Sequence, residues 1–252
     1  VGSDAAISSG LLTINGGVIR AAGAGRTLSN LVTANGSFTV GRLTNFSNTV
    51  TLGNNITITA DNYDGAANGD SVFSGQITGA RSITIAQGAN GIGTGAIVFS
   101  GNNNYSGSTT VSSGRLRIDN TGSLPSSTIS VSGGELVLNA ASATSSTATV
   151  TVNTGTLTSN YNQTLGSLTG NGSVAITAGT LTTGNNNAST TFSGVISGSG
   201  NLTKAGSGAF TLSGNNTYTG ATTINTGILS LGAANRISDS SAVTIASGAT
   251  FN

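Results

Sequence analysis

The sequence predicts an all-β fold, a β-solenoid with about 20–24 residues per coil. Three observations predict it. Apolar residues alternate with threonine in short runs from end to end, as in Ile56-Thr57-Ile58, Ile83-Thr84-Ile85, Val150-Thr151-Val152 and Val243-Thr244-Ile245. Glycine and asparagine punctuate the runs. One long phrase occurs twice.

Alternation with period two puts the aliphatic residues on one face of a strand and the threonines on the other. Leu116-Arg117-Ile118 and Leu136-Val137-Leu138 follow the rule, which points Arg115, Arg117 and Glu135 outward. Lys204 is a misfit: it shares parity with Leu202 and stands where the matching segment has Ile85. The expectation is that it lies just past a strand end with its ammonium in water. Between runs come Asn15-Gly16, Asn35-Gly36, Gly53-Asn54-Asn55, Gly133-Gly134 and Asn171-Gly172, residues that accept positive φ at little cost. Helical periodicity is absent, and with Pro125 as the one proline the turns fall to Gly and Asn.

Short strands and short turns suit a sandwich or a solenoid equally; repetition decides between them. Ser100-Gly-Asn-Asn-Asn-Tyr-Ser-Gly107 matches Ser213-Gly-Asn-Asn-Thr-Tyr-Thr-Gly220, Thr109-Thr110-Val111 matches Thr222-Thr223-Ile224, and Gly114-Arg-Leu116 matches Gly227-Ile-Leu229. The match extends upstream, Phe73-Ser-Gly75 to Phe192-Ser-Gly194, and loosely downstream. Apolar runs return roughly every 20 residues inside this long repeat, one solenoid coil each. Residues 1–252 are expected to form one continuous solenoid.

Composition narrows function. Charged residues make up 6% of the chain and the net charge is +1, with eight scattered Lys and Arg, so phosphate-driven nucleic-acid binding is excluded. With no cysteine and no histidine, thiolate chemistry, disulfides, the commonest general base and the commonest zinc ligand are missing. No apolar run approaches the roughly 20 residues of a spanning helix. Val1 opens no signal peptide, and Gly248-Ala-Thr-Phe-Asn252 stops within an alternating segment, so the chain reads as a piece of a longer protein.

The phrase S-G-N-N-x-Y-x-G-x-T-T-[VI]-x-x-G-x-L, at residues 99–119 and 212–232, resembles the passenger-associated transport repeat of bacterial autotransporters. The resemblance implies a right-handed parallel β-helix exported by Gram-negative bacteria. It also implies a C-terminal translocator barrel in the precursor and a location at the cell surface. No barrel is present here, and aromatic residues make up 4% of the chain. The repeat residues expected to carry structure are Gly101, Asn102, Asn103, Tyr105, Gly107, Gly114 and Leu116, with Gly214, Asn215, Asn216, Tyr218, Gly220, Gly227 and Leu229 in the second copy. The tyrosines are expected to cover a turn. The asparagines stack as amide ladders or cap turns, and turn chemistry is the favoured reading.

Candidate sites are few. Asp61, Asp64 and Asp70 form the acidic cluster, with oxygens of the kind calcium takes. Their spacing fits neither an EF-hand nor the glycine-rich calcium nonapeptide, so a polar loop is preferred. Gly69-Asp70-Ser71 offers a serine with no histidine to activate it. A polysaccharide-cleaving β-helix needs clustered carboxylates, and ice binding needs Thr-x-Thr pairs at a fixed interval, which Thr49/Thr51, Thr57/Thr59 and Thr180/Thr182 do not keep. No cofactor is expected. The reading is therefore a non-enzymatic structural or adhesive passenger segment, its partners like molecules or a host or neighbouring cell surface. The alternative is a homo-oligomeric filament joined head to tail through open solenoid ends.

Overall fold

The computed structural model describes residues 7, 10–21, 25–41, 43–61, 69–88, 95–233 and 236–252. Among them every element is a β-strand, and the strands pair in parallel. The chain forms two compact units, Val1–Ser126 and Ser127–Asn252.

In the first unit the strands stack into three ladders. One holds Leu12–Ile14, Val32–Ala34, Val50–Leu52 and Ile77–Thr78. The second holds Val18–Ile19, Phe38–Gly41, Ile56–Asp61, Ile83–Gln87 and Thr109–Val111. The third holds Arg26–Leu28, Thr44–Phe46, Ser71–Phe73, Ile97–Phe99 and Arg115–Asp119. The chain visits the ladders in rotation, so the coils from Leu12 to Phe99 lend one strand to each ladder and hydrogen-bond to the coils on either side. This is the parallel β-solenoid that the alternation predicts. Register places like on like: Val32 pairs Val50, which pairs Ile77, while Thr33, Thr51 and Thr78 form the outward column beside them. Inside, the rings of Phe46 and Phe73 stack at 4.6 Å, and Phe99 meets Phe73 edge-on at 5.6 Å.

The second unit is also a three-ladder solenoid. Its first ladder runs through Thr128–Val131, Thr149–Val152, Ser167–Gly170, Thr190–Phe192, Ala209–Leu212, Ile228–Leu231 and Thr250–Phe251. Its second holds Glu135–Asn139, Thr156–Ser159, Ser173–Ile176 and Val195–Ser197. Its third holds Gln163–Thr164, Thr180–Thr183, Asn201–Lys204, Thr222–Ile224 and Val243–Ile245. Thr164, Thr182, Thr203, Thr223 and Thr244 are successive partners in one outward column. The sequence hid this column because the corners between strands differ in length.

Individual coils vary on either side of the expected 20–24 residues for the same reason. Ile56 pairs Ile83, 27 residues on, whereas Thr156 pairs Ser173, 17 residues on. In the first unit most of the variation falls between the second and third ladders, where Gly41 and Thr44, the end of one strand and the start of the next, are three residues apart but Asp61 and Ser71 are ten apart. The corner between the first and second ladders is nearly constant, at residues 15–17, 35–37, 53–55 and 79–82. There side chains bind the next coil's backbone: Asn55 Oδ1 accepts from the Ser82 amide and Ser37 Oγ from the Thr57 amide.

Close stacking leaves some corners no room for a side chain. A Cβ at Gly214 would fall closer than 3.0 Å to the Gly194 carbonyl oxygen, and one at Gly101 would meet Gly75 in the same way. Gly214→Ala should therefore destabilise the second unit by about 1–3 kcal/mol. Ser213→Ala, its immediate neighbour, should be close to neutral in the same chemical denaturation measurement.

Candidate functional site

The two signature phrases have the same geometry. Each lies where the preceding coil has a short strand and replaces a strand of its own coil. In the first unit the Asn104 and Ser106 amides donate to Ile77 O and Gly79 O, both at 3.0 Å. In the second, the Thr217 and Thr219 amides donate to Ile196 O at 2.8 Å and Gly198 O at 2.9 Å. With no regular strand above it, the inner amide of the covered strand would be left without an acceptor, and a buried asparagine supplies one. Asn103, 4% exposed, accepts from the Ile77 amide at 2.8 Å and donates through Nδ2 to Ser123 O, one coil further on, at 3.0 Å. Asn216, 5% exposed, accepts from the Ile196 amide at 2.8 Å and donates to Arg236 O at 2.7 Å. These amides bridge three successive coils, where turn capping was the favoured reading. Asn102 and Asn215 are exposed.

The tyrosines go inward instead of covering a turn: Tyr105 and Tyr218 are both fully buried. Each phenol joins a chain of hydroxyls. Tyr105 Oη lies 2.6 Å from Thr109 Oγ1, which lies 2.7 Å from Ser126 Oγ. In the second copy Tyr218, Thr222 and Ser241 repeat the arrangement at 2.6 and 3.0 Å, and Ser241 Oγ donates to Gly220 O at 2.7 Å. Because Ser241 spends its proton on that carbonyl, Thr222 donates to Ser241 and Tyr218 to Thr222. Burial pushes the Tyr105 phenol up from 10.0 to about 12, with its bonds to Thr109 and Ser126 opposing the rise. Burial raises Tyr218 too, against Thr222 and Ser241.

Leu116 and Leu229 are fully buried core residues that pair Ile97 and Phe210. Gly114 and Gly227 both sit at φ +69°. A Cβ at Gly107 or Gly220 would crowd the backbone of Arg81 or Gly200 in the preceding coil. Sequence reasoning missed Ser123, Ser126, Arg236 and Ser241, which complete the constellation from the following coil. Serine is so frequent in this chain that nothing marks these out.

Asp61 and Asp70 flank the variable corner of the first unit. Asp61 ends a strand and is buried, its carboxylate held by Arg20. Asp70 accepts from the Ala96 amide at 2.8 Å and pairs with Arg117 Nη1 at 2.8 Å, while Arg117 Nε holds Asp119 at 2.8 Å. Burial alone would lower the Arg117 pKa, but Asp119 and Asp70 together raise it. Asp64 lies outside the described residues. Arginines thus occupy the places a calcium ion would take at Asp61 and Asp70. Among the described residues no group of three acidic side chains converges. A pocket of about 240 Å³ opens at this corner, lined by Arg26, Leu43, Asn45, Asp70 and Val72 among others.

The expectation for Lys204 is overturned. It is the last residue of the strand Asn201–Lys204, faces inward and is 1% exposed. The strand continues its parity to the end, so the side chain enters the core and turns its ammonium onto corner carbonyls, not into water. Burial lowers its pKa.

The passenger-associated transport repeat, as a family model, matches residues 92–118 and 202–231. The chain carries two passenger-associated transport repeats. One lies in each unit, and each contains the asparagine bridge and the tyrosine–threonine pair. Transport repeats on a parallel β-solenoid fit an autotransporter passenger. No curated protein and no solved structure matches the chain.

The phenol of Tyr105 gives a pH prediction. A phenol whose folded pKa is raised favours folding fully below pH 10.0, and that contribution is lost as pH rises through about 12. Phenolate absorbance should therefore show Tyr105 titrating near pH 12 or together with unfolding, and Tyr105→Phe should flatten the stability loss above pH 10.0.

Proposed function

We propose that this chain is a non-enzymatic structural and adhesive segment of an autotransporter passenger, carried to the bacterial surface by a translocator barrel in its precursor. Its transport repeats lock successive coils together as they form. The observation that carries this reading is the buried amide in each repeat, which hydrogen-bonds the coil before it and the coil after it. A chain emerging as a thread gains such a bridge only when the next coil arrives, so each repeat makes coil addition harder to reverse. The ion pairs at Asp61 and Asp70 support a structural role, since these carboxylates hold the chain to itself. Outward threonine columns give uncharged flanks for contact with like molecules or another cell surface.

The test uses the segment within a barrel-bearing precursor. The double variant N103A/N216A should reduce protease-resistant passenger on intact cells severalfold, while N102A/N215A, at the exposed neighbours, should leave it unchanged. Equal display of the two variants would contradict the proposal.

A further inference from the structure

Lys204 is the one lysine of the chain. Its inward column runs Thr183, Lys204, Ile224 and Ile245. The transport repeat does not require a charge here, because the matching column position in the first unit is Ile85, which is fully buried. An ammonium taken out of water is costly unless its surroundings replace the lost hydration.

The surroundings do so with dipoles. Nζ donates to the backbone carbonyls of Ala205, of Gly206 at 2.7 Å and of Thr226 at 3.3 Å. No carboxylate lies within ion-pair distance among the described residues, so the charge is met by carbonyl oxygens alone. The first two carbonyls belong to one coil and the third to the next, so the ammonium ties two coils together at the corner. Three stacked glycines shape this corner: Gly184, Gly206 and Gly227, all at positive φ, between +68° and +99°. A Cβ on Gly184 would stand 3.2 Å from Nζ. Beside it the buried Thr183 hydroxyl has no hydrogen-bond partner among the described residues. Converging carbonyls that replace a hydration shell are how proteins hold bare monovalent cations.

We propose that this corner of the second unit is a monovalent-cation site of the ammonium class, occupied by the protein's own Lys204 side chain. The ligand is defined by its chemistry: a compact cation that donates N–H bonds to two carbonyls of one coil and one of the next. With the lysine stem removed, the site binds free ammonium.

The experiment uses the full chain with Lys204→Ala, which opens the site, and Lys204→Met, which keeps it filled without charge. Amide hydrogen exchange is read at Ala205, bonded to Thr183 O, and at Asn225, bonded to Lys204 O. Both variants should exchange at these amides at least about tenfold faster than the parent, corresponding to the loss of hydrogen bonds to a charged group. Ammonium chloride should restore most of the protection to Lys204→Ala. Tetramethylammonium chloride at equal ionic strength should not, because it is too large and has no N–H. Lys204→Met should respond to neither salt. If Lys204→Ala does not fold in plain buffer, refolding in ammonium but not in tetramethylammonium is the expected result. The proposal is overturned if Lys204→Met is protected as well as the parent, if both salts restore Lys204→Ala equally, or if ammonium restores nothing.

Discussion

Each coil of this protein depends on its neighbours for its backbone hydrogen bonds. A parallel ladder has no local hairpin, so each strand finds its ladder partners in chain about 17–27 residues away. From this constraint follow the short alternating strands, the aliphatic columns inside and the threonine columns outside. It also explains why corners matter. Where a coil turns without a strand, the coil beneath still presents amides that need acceptors, and a buried group must provide them. Asn103 and Asn216 meet that demand with a side chain, and Ile77 and Ile196 keep their bonds although the strand above them is gone.

The transport repeats are therefore places where regular stacking is interrupted and repaired. Their glycines admit close backbone approach, their tyrosines fill the space a strand would have filled, and their threonines and the serines that follow satisfy the phenols. A purely apolar plug at Tyr105 or Tyr218 would fill the space but leave Thr109 and Thr222, both fully buried, short of a partner. Unpaired hydroxyls inside a protein are costly enough that the polar chain has to be complete. Lys204 resolves the same kind of problem at another corner with a charge in place of an amide.

Much of this was legible in the sequence. Period-two alternation fixed which residues face inward, and Leu116, Ile118, Leu136 and Leu229 are all buried accordingly. The doubled phrase marked the residues that carry the repair. What was not legible depended on the coil above or below. The inward turn of Tyr105, the bridging role of Asn103 and the partners Ser126 and Ser241 are set by stacking, and one coil's sequence says nothing about its neighbour's register. The threonine column from Thr164 to Thr244 was hidden by corners of unequal length. Lys204 obeyed the alternation rule and was misread because the expectation that a lysine seeks water was given more weight than its parity.

The most direct test of coil-on-coil stacking uses the absence of native cysteine. Thr203 and Thr223 are partners in adjacent coils and point outward, so their Cα atoms lie about 4.8 Å apart, within disulfide range. Thr182 and Thr223 lie two coils apart, about 9.6 Å, which is outside that range. Mild oxidation should cross-link T203C/T223C within the monomer and leave T182C/T223C reduced. No bond in the adjacent pair, or a bond in the separated one, would contradict the stacked register on which the account depends.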